Sequence, residues 1–218
     1  MKRLYPVIIF AFLSCPTIVR CQFLRSMGMK AGISLASQTC RFTPIDYTME
    51  TQPVVGPGIS FLMEAFRHEH LSLQTDLAVS VKGSKTTTQS VTVNHLDNDR
   101  IVVNKGEFNA SRFSYLSFCP LARYRVDKER LTSYAMMGPR LDLLLKYKTG
   151  SDYPLDEQNK VIVGLSGGAG VEFSFNQLGV FIEAQYQPDI SAVTNHEPLR
   201  INNSTLLFTL GIRYLNVQ

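Results

Sequence analysis

The sequence predicts an all-β fold: an eight-stranded antiparallel up-and-down barrel that crosses a membrane. Apolar and polar residues alternate with a period of two over eight segments of about 9–15 residues each. Strands of soluble proteins average about 5–6 residues, whereas a tilted strand needs about 9–11 residues to cross a bilayer. Long and short connections also alternate, which is typical of transmembrane barrels with turns at one end and loops at the other.

The stretch LSLQTDLAVSVKG, residues 71–83, shows the alternation most clearly, with Leu73, Leu77 and Val79 on one face and Asp76 and Lys82 on the other. The eight predicted strands comprise residues 27–36, 57–66, 71–83, 115–125, 137–147, 161–175, 179–187 and 204–215. Short turns are expected at 67–70, 126–130 and 176–177, and long polar loops at 37–56, 84–112, 148–160 and 188–203. We call the two ends of the barrel the turn end and the loop end. Because the strand number is even, both termini fall at the turn end.

The second long loop has an alternation of its own. Val91 and Val93 are followed by Ile101 and Val103, which favours a hairpin that extends above the membrane. Such a hairpin could pair with a strand of another chain. The alternative is a mobile polar loop.

Charged residues on the strands decide which face meets lipid. All twelve lie on the polar face, and a Lys or Arg that faces lipid at the bilayer midplane costs roughly 2–4 kcal/mol. We therefore expect the apolar face outside and a lumen charge network of seven basic and five acidic groups inside. Its predicted members are Lys30, Glu64, Asp76, Lys82, Arg123, Arg125, Arg140, Asp142, Lys146, Glu172, Glu183 and Arg213.

An eight-stranded barrel is just wide enough for side chains to fill its interior. Five inner-face glycines would make room for the long Arg and Lys side chains, so we expect a plugged lumen and not a pore. These glycines are Gly28, Gly32, Gly164, Gly168 and Gly170. Aromatic residues near the strand ends are expected to form the interfacial girdles of a membrane barrel. They are Tyr124, Tyr147, Phe175, Tyr186 and Tyr214.

The first residues have the layout of a secretory signal peptide: Lys2 and Arg3, a short apolar run, then small and polar residues. We expect a signal peptide at 1–21 and the barrel domain at 22–218; the alternative is lipidation of Cys15. The whole chain has 22 Lys and Arg against 18 Asp and Glu, and loss of Lys2, Arg3 and Arg20 would leave 19 against 18. This balance gives no support for a nucleic-acid partner.

Seven blocks resemble, in order, those of the PorT-like outer-membrane β-barrel family, often labelled porin family. They are MKAGISL, LSLQTDLAVSVKG, YLSFCPLARYR, MGPRLDLLLKY, GLSGGAGVEF, EAQYQPDI and the terminal LGIRYL. The resemblance covers most of residues 27–215 and departs from the family pattern at Cys119-Pro120. It implies the outer membrane of a Gram-negative bacterium and insertion by the outer-membrane assembly machinery. Some relatives support protein secretion, and the resemblance supplies no catalytic residue.

The sequence gives less support to a metal site, a phosphate-binding loop or a disulfide than to the barrel. His68 and His70 fall in a tight turn without a third ligand, so no metal is expected, and GLSGGAG lacks the Lys-Ser/Thr of a phosphate loop, so no cofactor is expected. Cys40 and Cys119 could pair in an oxidising compartment, but the sequence does not favour this.

Three functions stay open at this point. The first is a non-enzymatic envelope protein that meets outer-membrane lipid with its wall and an unknown protein or surface ligand with loops 37–56 and 84–112. The second is a soluble exported barrel of the lipocalin type, with its apolar face inside. The third is an outer-membrane lipid hydrolase that would use His95 or His196 with a loop serine.

Overall fold

The computed structural model describes residues 24–42, 47–93, 101–148, 159–196 and 199–215, and the fold is presented from these residues. They form one antiparallel sheet of ten strands, and β1 pairs with β10, which closes the sheet into a barrel. The strands are β1 Leu24–Phe42, β2 Tyr47–Glu50, β3 Gln52–His68, β4 Leu71–Val93, β5 Ile101–Lys128, β6 Leu131–Lys148, β7 Val161–Phe175, β8 Leu178–Pro188, β9 Thr194–His196 and β10 Leu199–Leu215.

Eight of these strands form the barrel wall, which confirms the predicted fold class. The two short strands, β2 and β9, pair with the loop-end parts of β1 and β10. The described residues contain no helix that is long and apolar enough to span a membrane. The predicted signal peptide lies outside the described residues.

The strands extend beyond their predicted limits at the loop end. The loop predicted at 37–56 is shorter in the structure, because β1 continues to Phe42, β2 follows and β3 starts at Gln52. Similarly, the loop predicted at 188–203 contains β9 and the first part of β10. Above the hydrocarbon, no face of a strand has to be apolar, so the alternation that reveals the membrane-spanning part fades there.

The β4–β5 hairpin is the largest of these extensions, and its prediction is confirmed. β4 has 23 residues and β5 has 28. The two strands pair as far as Val93 and Ile101, well past Lys85, where β3 stops pairing with β4. Seven further residue pairs, over the eight residues of β4 that follow Lys85, carry the hairpin about 26 Å beyond the neighbouring strand.

The apolar face of the barrel points outward. Leu77 is 47% exposed and Ile212 59%, whereas Lys82 and Asp142 are fully buried in the interior. The exposed aromatic residues include Tyr124, Phe175 and Tyr214 near the turn end. This facing is the reverse of a lipocalin, so the lipocalin alternative is wrong.

The β5–β6 pairing is interrupted once within the barrel wall. Phe118 pairs with Leu141 and Ala122 with Met137, so Pro120 stands opposite Pro139 in an unbroken register. Neither proline has an N–H to donate, so two ladder hydrogen bonds cannot form there. The strands stay close beside the prolines, because a Cβ on Gly138 would lie 2.0 Å from the carbonyl oxygen of Pro120.

We expect Leu77→Arg to prevent stable assembly of the barrel, because Leu77 lies on the outer face of β4. A lipid-facing arginine near the midplane costs roughly 2–4 kcal/mol. The control Leu77→Met keeps the site apolar and should fold normally. The folded fraction in lipid vesicles is read from the mobility of unheated samples on denaturing gels. Equal folded fractions for the two variants would contradict the assigned facing.

Candidate functional site

The barrel interior contains the polar side chains that the sequence singles out. Eleven of the twelve predicted lumen charges are buried, each no more than 5% exposed. These eleven are Lys30, Glu64, Asp76, Lys82, Arg123, Arg125, Arg140, Asp142, Glu172, Glu183 and Arg213. They form three clusters that follow one another from the turn end to the loop end.

Lys146, the twelfth predicted member, is exposed and does not belong to the interior. β6 carries one extra residue here, since Tyr115 pairs with Leu144 but Ser114 pairs with Lys146. This β-bulge at Leu145 shifts the alternation by one, so Lys146 shares the outer face with Ser114. Sequence alternation alone could not reveal the bulge, because it depends on the pairing with β5.

Asp189 is an interior charge that the predicted network did not include. Its side chain is fully buried and contacts Lys82 and Arg140. The sequence did contain a signal, because Glu183, Gln185 and Gln187 all point inward and the same period of two reaches residue 189. Among the described residues the interior therefore holds six basic and six acidic side chains, and its formal charge is zero.

The turn-end cluster consists of Glu64, Arg123, Arg125, Glu172 and Arg213. Glu64 accepts hydrogen bonds from Arg213 at 2.6 Å, from Arg123 at 3.2 Å and from Ser26 at 2.9 Å. Arg123 also donates to Glu172 at 2.9 Å. The buried carboxylates are thus bound by guanidinium groups from other strands, which is the arrangement that offsets the cost of burying charge.

The central cluster is a triad in which one cation serves two carboxylates. Lys30 forms ion pairs with Asp76, at 2.6 Å, and with Glu183. Tyr134 donates to the second oxygen of Glu183 at 3.1 Å, and Gln74 donates to the second oxygen of Asp76 at 2.9 Å. Both carboxylates therefore have partners on each oxygen, as buried charges require.

The loop-end cluster joins two cations to two carboxylates. Lys82 and Arg140 both bind Asp142, and Arg140 also binds Asp189. Asn203 donates to the other oxygen of Asp189 at 2.9 Å. Gly164 makes the space that the sequence analysis anticipated, because a Cβ there would lie 2.6 Å from an Nη atom of Arg140.

An apolar layer lies on the loop-end side of the ionic clusters. Buried Phe113, Tyr115, Ile162 and Val193 pack together, with Leu144 and Ile201 against them. Val193 reaches this layer because the chain turns inward after β8. The N–H groups of Ile190 and Ser191 both donate to the carbonyl of Val163, at 2.9 and 3.0 Å. Part of the segment predicted as a long polar loop therefore covers the barrel interior at the loop end.

The remaining sequence predictions about the site have the following outcomes. Cys119 is a buried free thiol, so it forms no disulfide. His68 and His70 are exposed at the turn end, and no group of three or more potential metal ligands occurs in the part of the chain that the structure describes. His95 lies outside the described residues, and His196 lies in β9.

A closed barrel with an apolar exterior and a neutral ionic interior defines a class, the small outer-membrane barrels. The model of the family described as outer membrane protein beta-barrel domain matches residues 22–191. The chain belongs to this family and is a small eight-stranded barrel of the outer membrane. No curated protein matches it significantly.

Solved structures with a similar fold come from several bacteria. Ail, the attachment invasion locus protein of Yersinia pestis, crystallised with the heparin analogue sucrose octasulfate, is 14% identical over 87% of this chain and 99% of its own, with a TM-score of 0.41. Neisserial surface protein A is 11% identical over 87% and 96%, with a TM-score of 0.45. The outer membrane protease OmpT of Escherichia coli is 8% identical over 88% and 96%, with a TM-score of 0.47. At these similarities no ligand or activity is carried over.

We expect Lys30→Met to destabilise the barrel by about 3–5 kcal/mol, because it leaves Asp76 and Glu183 buried without their cation. Neutralising the whole triad in Lys30→Met/Asp76→Asn/Glu183→Gln should recover much of this loss. Urea unfolding in lipid vesicles measures both effects. A triple variant less stable than Lys30→Met would contradict the assigned pairing.

Proposed function

We propose that this barrel is a non-enzymatic envelope protein that acts through its loop end, as an interaction or secretion-support protein. The observation that supports this most is the β4–β5 hairpin, which extends about 26 Å past the neighbouring strands. A membrane anchor alone would not need this hairpin. The PorT-like resemblance adds secretion support as the more specific form of the role.

The backbone of the hairpin offers a means of binding. Within the described residues, β4 pairs with β5 alone over 86–93, and β5 pairs with β4 alone over 101–110. Each strand therefore presents one edge with unpaired N–H and C=O groups. Such edges accept an added strand from a partner protein. This contact fits a protein ligand with an extended segment.

Export by the predicted signal peptide and insertion by the outer-membrane assembly machinery belong to the same proposal. So does the contact of the wall with lipid, which is supported by the band of half-exposed apolar residues around the barrel. Ile33, Ile59, Leu77 and Ile182 are each 47–57% exposed on different strands.

The interior supports a role outside the lumen. Its six cations and six carboxylates bind one another, and the apolar layer with Val193 closes the loop end. A solute or ion would have to displace these contacts to pass or to bind. We therefore propose that the barrel is neither a channel nor a hydrolase.

Removal of the hairpin tip separates the proposed role from the fold. We expect a variant that lacks 89–105 to assemble normally, because Thr88, Gly106 and Glu107 would then join the paired residues Thr87 and Phe108 in a three-residue turn that contains glycine. A photo-cross-linking residue at Thr86 should capture a defined envelope protein in intact cells with the full hairpin and lose it without the hairpin tip. The matched control at Glu129, in a turn at the opposite end, should not capture it. Identical capture profiles with and without the hairpin tip would contradict the proposal.

Reconstituted protein tests both the proposal that the barrel is not a channel and the proposal that it is not a hydrolase. Planar bilayers should show no stable channel, because the lumen is filled. Vesicles should release no fatty acid above background, and His95→Ala/His196→Ala should change nothing. Large stable conductance, or lipid cleavage that this double variant removes, would contradict the proposal.

A further inference from the structure

We propose that the loop end carries a binding surface for the phosphate groups of membrane lipids, formed by Arg112, Lys146 and Lys148. We call these three residues the basic rim. All three are exposed. This surface is separate from the hairpin edges, and the proposal does not depend on the role suggested for them.

The basic rim is assembled by the pairing of β5 with β6. Arg112 lies directly opposite Lys148, and Lys146 lies opposite Ser114, so the three cations occupy neighbouring positions on the outer face. The bulge at Leu145 brings Lys146 to this face. Without the bulge, the side chain of Lys146 would have pointed inward. The surface is thus a consequence of an irregularity in the barrel wall.

The height of the basic rim matches the level of lipid headgroups. Leu116 pairs with Leu143, which is 41% exposed on the lipid-facing band. The next outward pair towards the loop end is Ser114 with Lys146, and the following one is Arg112 with Lys148. Successive outward pairs are separated by about 7 Å along a strand. The cations therefore begin one step above the last apolar pair.

The acidic side chains that the structure describes do not balance the charges of the basic rim. Like charges directly opposite each other destabilise a strand pair, and Arg112 with Lys148 is such a pair. Among the described residues, no acidic side chain forms a salt bridge with any of the three. The carboxylates in the interior are bound to interior cations. An anion from outside the chain would relieve this repulsion.

A lipid phosphate fits this surface better than a soluble anion. Arg binds phosphate oxygens through two parallel N–H donors, and Lys adds point charges. Leu145, 58% exposed, lies in the chain directly before Lys146. Apolar contact below and cations above suit an amphipathic ligand, with its acyl chains along the wall and its phosphate on the basic rim. Each Lys or Arg near a membrane surface adds about fivefold to such binding.

Native mass spectrometry of the purified full-length barrel in detergent tests the proposal. The probes are diphosphoryl lipid A, monophosphoryl lipid A and phosphatidylcholine, each titrated separately. We expect the diphosphoryl probe to bind most tightly and the zwitterionic lipid least. Arg112→Gln/Lys146→Gln/Lys148→Gln should weaken the diphosphoryl probe on the order of 100-fold.

The matched control removes exposed cations from the opposite end of the barrel. Lys128→Gln/Arg130→Gln should leave the affinity within about twofold, since both residues lie at the turn end. If the triple variant fails to fold, the single variant Lys148→Gln replaces it, and its affinity for the diphosphoryl probe should fall about fivefold. Equal binding by the triple variant and the unmodified protein would overturn the proposal. Binding of inorganic phosphate or a soluble sulfated sugar as tight as that of the lipid would overturn it too.

Discussion

The structure depends on closure of the sheet by β1 and β10. In hydrocarbon no water can satisfy a backbone N–H or C=O group, so a spanning sheet needs a partner for its last strand. The ladder from Ser26 opposite Leu215 to Phe42 opposite Leu199 supplies that partner over all of β10 and all but the first two residues of β1. Closure then creates an interior that is too narrow for bulk water and too polar to be left unpaired.

The charged groups of the interior are paired with one another, and their formal charges cancel. Six cations and six carboxylates are distributed over three clusters, and most are bound by groups from strands far apart in the chain. Glu64 on β3, for example, binds Arg213 on β10 at 2.6 Å. The network therefore links strands across the lumen as well as around the wall. Neutralising one member of a cluster lowers the free energy of unfolding more than neutralising the whole cluster, because the remaining partner is then a buried charge without a counter-ion.

Two irregularities in β6 show how local backbone geometry assigns surfaces. The pair Pro120 and Pro139 removes two ladder bonds but leaves the register intact, so the alternation continues unchanged on either side. The bulge at Leu145 keeps the ladder but shifts the alternation, which moves Lys146 from the interior to the outer face. The same strand thus serves the ionic interior below the bulge and the basic rim above it.

The sequence by itself determined the eight membrane-spanning strands, their facing and the charged character of the interior. These features follow from the period of two along each strand and from the free-energy cost of placing a charge in lipid. Both depend only on the type and position of each residue along its own strand. Only the tertiary structure decided the partners of each charge, the outward position of Lys146 and the inward turn that buries Val193. Those outcomes depend on strand register and on packing between segments distant in the chain, which alternation along a single strand does not encode.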